Sequence, residues 1–154
     1  PEFKTLLGEV INTYRKSDKT KPFNYKGYEI KTVNTFLSAL HSDNPEQQKA
    51  LAKMNEEELK EGMKSVEMTY VPRKLHWNGE TFMRDSEKYD ELLSRAYKAR
   101  FESDANFRQA IYDTKNTHLI HSRGKNDIGR TILTSNEFIE KIEGLRNLLG
   151  RFFK

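Results

Sequence analysis

The sequence predicts an α+β fold, mostly helical, with a small antiparallel sheet. Three observations predict it. Apolar residues recur at helical spacing in most segments of the chain. Capping residues stand in front of several of those segments. Strand signals are confined to short aromatic and β-branched runs.

Taken in order, residues 3–14 place Phe3, Leu6, Leu7, Val10, Ile11 and Tyr14 at helical spacing, with Lys4 and Glu9 outside. This predicts an amphipathic helix. Arg15 to Pro22 is polar and turn-rich, a loop. Phe23, Tyr25, Tyr28 and Ile30 flank Lys26-Gly27 and predict a short hairpin. Thr32 caps a helix that carries Val33, Phe36, Leu37 and Leu40. Asn44-Pro45 opens the next, because proline is tolerated in a first helical turn; it carries Ala50, Leu51 and Met54. Asn55 with Glu58 forms a capping box for a short helix to about Lys64. Residues 65–80 hold Pro72, Trp77 and Asn78-Gly79 and predict irregular chain with a tight turn at the Asn-Gly. From Phe82 to Phe101 the pattern is one long helix, with Leu92, Leu93, Ala96, Ala99 and Phe101 close to one face. Ser103 or Asp104 caps a following helix with Phe107, Ala110 and Ile111 inside. Thr117 to Ser122 is a candidate strand, and Arg123 to Arg130 a glycine-bearing loop. Ser135 caps a last helix with Phe138, Ile139, Ile142, Leu145, Leu148 and Leu149 on its face. Gly144 weakens that helix by about 1 kcal/mol of propensity.

Length and composition set the bounds. At 154 residues, 1–154 reads as one domain, with residues 1–21 as an N-terminal helix and loop. No run of eighteen apolar residues predicts a membrane span, and Pro1-Glu2-Phe3-Lys4 lacks the pattern of a secretory signal. The absence of cysteine excludes disulfide and thiolate chemistry and suits a reducing cytoplasm. His41, His76, His118 and His121 lack metal-binding spacing, so neither a metal nor a cofactor is expected. The net charge of +4 is mild. Its densest basic cluster, Arg15, Lys16, Lys19, Lys21 and Lys26, reads as a solvated loop, so specific nucleic-acid binding is not indicated.

Two features invite chemistry. The 123–130 loop holds two glycines and three cations, a combination able to cradle a phosphate, yet Gly124-Lys125 is not followed by Ser or Thr as a Walker A motif requires. Its plainer reading is a charged surface loop. Trp77, the only tryptophan, could stack on a base or sugar; its plainer reading is core. Asp85, Glu87, Asp90 and Glu91 read as the exposed charges of one helix.

Several short runs resemble, in order, the motifs of one family. They are Tyr25–Val33, Phe36–Leu40, Lys74-Leu75-His76-Trp77, then Ala99-Arg100-Phe101 with Asn106-Phe107-Arg108 and Thr114, and finally Asn147–Arg151. Together they resemble the NADAR (YbiA-like) superfamily over residues 22–154. That resemblance implies a YbiA-like N-glycosidase fold acting on ribosylated bases, with a carboxylate beside the ribose and an aromatic wall against solvent. It also implies a degenerate site. The family's catalytic Glu falls on Asn34. With Ser122 and Gly129 matched, its acid falls on Lys125 and its tryptophan on Ile128. A lysine repels the developing cation that the acid would stabilise. The resemblance therefore implies an accessory protein without glycosidase activity. Its pocket would be formed by Asn34, Lys74, Trp77, Ser122, Lys125, Ile128 and Gly129, and would take a nucleotide or ADP-ribose-like ligand; a protein partner is the other expectation. The alternative is a diverged N-glycosidase using Asp127 or Glu29. Members of that superfamily occur in large tailed phages; a cytoplasmic location is expected, the host cytoplasm if the chain is phage-encoded, and a monomer is expected as well.

Overall fold

A computed structural model of the chain describes residues 2–5, 10–12, 22–25, 27–66, 74–121 and 132–153. Among the described residues there are seven short strands and six α-helices. In order they are β1 (Glu2–Thr5), β2 (Val10–Asn12), β3 (Phe23–Tyr25), β4 (Tyr28–Ile30), α1 (Val33–Ala39), α2 (Pro45–Ala52) and α3 (Glu56–Met63). Then come β5 (Lys74–Trp77), β6 (Glu80–Met83), α4 (Glu87–Ser103), α5 (Ala105–Asp113), β7 (Leu119–His121) and α6 (Ser135–Arg146), with a 3₁₀ turn at Leu149–Arg151. This is the α+β class the spacing predicts, and among the described residues every strand pairing is antiparallel.

The caps fall where local chemistry puts them. Thr32 and Thr35 bond reciprocally at the start of α1, and Asn55 with Glu58 forms the expected box on α3. Asn44 accepts from the Glu46 and Gln47 amides of α2, with Pro45 at its first position. Asp104, not Ser103, caps α5. On α6 the cap is Thr134, one residue before the expected Ser135, and Glu137 completes its box.

Three expectations are corrected, each by strand pairing. The described residues of the 3–14 segment are strand, not helix. β1 and β2 pair there instead, with Phe3 opposite Ile11, and the other edge of β1 takes β7 with Phe3 opposite His121. Val10 and Ile11 are β-branched and suit a strand, and only the far end of the chain supplies the third strand. Residues 74–77 are not irregular, and Phe82 is not helical: β5 and β6 form a hairpin with Leu75 opposite Phe82. The Asn-Gly turn between them was legible, and Asn78 and Gly79 take φ of 50° and 85° as such a turn requires. The long helix consequently starts only at Glu87, behind its Ser86 cap.

α4 is the centre of the main core. Tyr89, Leu92, Leu93, Ala96, Tyr97 and Phe101 are buried along it. They meet apolar residues of α1, α5, α6 and the two hairpins. A second, smaller cluster of Ala39, Leu51 and Leu59 joins α1, α2 and α3, with Met54, Met63 and Val66 against it. Polar ties lock the helices of the main core. Arg84 forks onto Glu137, with Nη1 3.0 Å from Oε2, fixing the start of α6 against the turn before α4. Arg146 donates to the Thr114 carbonyl at 2.5 Å and holds α6 to the end of α5. Burial lowers the Arg146 pKa, and Glu143 raises it part of the way back. Among the described residues, no helix is long and apolar enough to cross a membrane.

Candidate functional site

Among the described residues, a cleft of ≈ 340 Å³ lies where α1 ends, α2 begins, α3 ends and β5 enters. Its position follows from local structure. α1 stops at Leu40, and His41, Ser42 and Asp43 bridge to the Asn44 cap of α2. β5 docks against the end of α1, with the His76 amide donating to the Leu40 carbonyl at 2.8 Å. Behind the cleft sits Gln48, 1% exposed. Its Nε2 reaches the carbonyls of Ser42 at 2.8 Å, His76 at 2.7 Å and Ala39 at 3.3 Å. One carboxamide therefore clamps the loop, the end of α1 and β5 together. A buried amide of this kind is stable only because its partners are supplied.

The near wall is a chain of hydrogen bonds. Ser42 Oγ donates to Gln47 Oε1, Gln47 Nε2 donates to Ser65 Oγ at 3.3 Å, and Ser65 Oγ donates to the Gly62 carbonyl at 3.1 Å. The Asn44 amide also donates to Ser42 Oγ, at 3.2 Å. Both hydroxyls are thus committed to the wall. His41 Nδ1 lies 3.2 Å from the Ser38 carbonyl, which can only accept, so Nδ1 is the donor. His76 Nδ1 is 2.9 Å from Thr81 Oγ1 across the β5–β6 hairpin. Asp43, Val66 and Lys74 complete the lining; Asp43 and Lys74 are exposed. A second groove, ≈ 320 Å³, runs between α4 and α6 past Tyr97, Gly144, Leu145 and Leu148. Among the described residues, no group of three or more His, Asp or Glu side chains is placed to hold a metal.

The residues singled out from sequence are dispersed. Lys74 lines the cleft. Trp77 is 4% exposed, with Tyr28 and Phe36 ring centroids at 4.7 and 4.8 Å, so its ring offers no open face. Asn34 is half-buried in the first turn of α1, where its Nδ2 donates to Glu56 Oε1 at 2.8 Å. Glu29 is exposed in the middle of β4, opposite Asn24. Ser122, Lys125, Asp127, Ile128 and Gly129 lie outside the described residues. Sequence reasoning missed His41, Ser42, Asp43, Gln47 and Gln48. Gln48 did leave a signal. It shares the buried face of α2 with Leu51 and Ala52, at i+3 and i+4, and a polar residue on an apolar stripe marks a buried hydrogen-bonding task.

Over residues 15–147 the sequence matches the family described as bacteriophage protein GP30.3. No curated protein and no solved structure matches it. The NADAR resemblance is thereby corrected: the short runs that carried it are generic helix, hairpin and cap wording, and the match over the greater part of the chain is to a different family. The reading of Asn34 and Lys125 as replaced acids rested on that resemblance and goes with it. No solved structure supports a YbiA-like fold.

Proposed function

The chain belongs to the bacteriophage GP30.3 family, and from that premise we propose that it is a phage accessory protein that binds a small polar ligand in the cleft without turning it over. The observation that carries this reading is the Gln48 clamp. A buried carboxamide holds three backbone carbonyls so that the loop 41–44 and β5 face each other across ≈ 340 Å³. That volume falls at the small end of ligand sites, which are largely pre-formed. Pre-formation favours binding because less freedom is lost when the ligand arrives. The bonding of Ser42 and Ser65 supports binding over catalysis. Each hydroxyl donates to a carbonyl oxygen, so neither is paired to a base that would make it a nucleophile. The setting we assign is the cytoplasm of the infected host, in keeping with a chain that has no cysteine.

The test is a thermal-shift panel of small polar metabolites followed by amide chemical-shift mapping. A ligand at a hundred times its Kd stabilises by about 2.7 kcal/mol. For a chain of this size that is a rise in Tm of about 5–10 °C. At least one compound is expected to give such a rise, to move the amides of residues 41–48 and 74–76, and to be recovered unchanged. A panel with no hits, hits that map to the α4–α6 groove, or a compound consumed on incubation would overturn the reading.

A further inference from the structure

The cleft carries two charges that the rest of its lining leaves unanswered. Ser42, Gln47 and Ser65 bond to one another and to Gly62. Asp43 and Lys74 make no hydrogen bond or ion pair with any described residue, nor do they approach each other closely enough to pair, although both line the same cleft. The backbone segments that carry them are joined by the fold. Gln48 holds the carbonyl of Ser42, next to Asp43, and that of His76. Lys74 and His76 stand two residues apart on β5, hence on one face of that strand, and both line the cleft. β5 is fixed in turn by its pairing with β6, Lys74 opposite Met83. A carboxylate and an ammonium thus line one small cleft, carried by two segments that a single buried clamp joins.

Resting on the binding reading above, we infer that the cleft takes an amino-acid-sized zwitterion: Lys74 meets its phosphate or carboxylate group, and Asp43 accepts from its ammonium. A ligand with both groups satisfies both banks at once, and a ligand with one leaves the other bank's charge facing it unpaired. Phosphate and carboxylate share this chemistry, and the probes separate them.

Isothermal titration is made with four zwitterions: glycine, 4-aminobutyrate, 6-aminohexanoate and O-phosphoethanolamine. Inorganic phosphate, acetate and ethanolamine serve as single-ended controls. At least one zwitterion is expected to bind about tenfold or more tightly than the controls that carry its separate groups, the fold-change of one charge-assisted hydrogen bond. Lys74→Met and Asp43→Asn, both at exposed positions, are each expected to remove about that tenfold. Zwitterions that bind no better than the controls, or two variants that bind the best zwitterion like the parent, overturn the inference. An uncharged metabolite that maps to the cleft and is indifferent to both variants leaves the binding reading standing and removes only the charge pairing.

Discussion

Two regions of this molecule are each tied by one buried polar side chain, and they are tied differently. At the junction of α4 and α5, Asp104 is 4% exposed. Its amide donates to the Arg100 carbonyl at 2.9 Å, and its Oδ1 accepts from the Asn106 and Phe107 amides at 3.0 and 3.1 Å. Its Oδ2 lies 3.4 Å from the Arg100 guanidinium. Every partner is within four residues. In the corner of α1, α2 and β5, Gln48 joins Ala39 and Ser42 to His76, 28 residues away. The first tie turns the chain; the second brings separate segments face to face. The cleft lies beside the second, where a long-range clamp brings separate segments together, whereas the local turn is tied only to its own neighbours.

The comparison predicts unequal costs. Asp104→Ala removes a helix cap and takes the carboxylate from Arg100, which is 0% exposed. Breaking a buried charge pair costs about 3–5 kcal/mol. That loss is expected in urea denaturation, with the ligand-induced chemical shifts of the cleft unchanged. Asp104→Asn keeps a good capping oxygen and loses only the charge, so it is expected to lie between parent and Ala. If Asn is as damaging as Ala, the ion pair and not the cap is the whole tie.

Gln48→Leu is nearly the same size and leaves the Ser42 and His76 carbonyls short of a donor, while the Ala39 carbonyl keeps the Ser42 amide. The expected cost is about 1–3 kcal/mol, smaller than at Asp104 because no charge pair is broken. Its functional effect is expected to be the larger: ligand binding in the cleft is lost while the fold persists, read by titration alongside circular dichroism. A Gln48→Leu protein that binds like the parent would break the link between clamp and cleft.

The same contrast explains what could be read from the sequence. Caps are local, so Thr32, Asn44, Asn55 and Asp104 were legible from a few neighbouring residues. The Asn78-Gly79 turn was legible too, because its φ values restrict which residues fit. The strands beside it were not. Lys74–Trp77 carries Lys and His among its four residues and becomes a strand only by pairing with Glu80–Met83. Glu2–Thr5 needs Leu119–His121 from the other end of the chain. The candidate site shares that non-local character. Of the residues grouped from sequence, Lys74 lines the cleft, and it is joined there by His41, Ser42, Asp43 and Gln47. Their common location depends on what Gln48 bonds, and its partner across the cleft is a backbone carbonyl that no side-chain motif reveals.

The smallest effect sharpens the comparison from its other side, through two helical glycines. Gly144, on α6 beside the α4–α6 groove, has nothing within 4 Å of where a Cβ would stand. Gly144→Ala therefore gains helix propensity without a steric penalty, about 1 kcal/mol, and is expected to raise Tm by about 2–4 °C. Gly62, on α3, gains the same propensity on becoming Ala. Its new methyl would stand 3.0 Å from Leu51 Cδ2 and 3.0 Å from Met54 Sδ. Met54 is flexible and can move aside. Leu51 is 1% exposed in the small cluster and has little room to move. Overpacking costs about 1–3 kcal/mol, so Gly62→Ala is expected to fall at or below the parent, at least about 1 kcal/mol under Gly144→Ala. Thermal melts of the two variants, side by side, measure that gap. Equal stabilisation would mean that the small cluster yields as readily as open solvent, and a corner that soft could not hold the two banks of the cleft at a fixed separation.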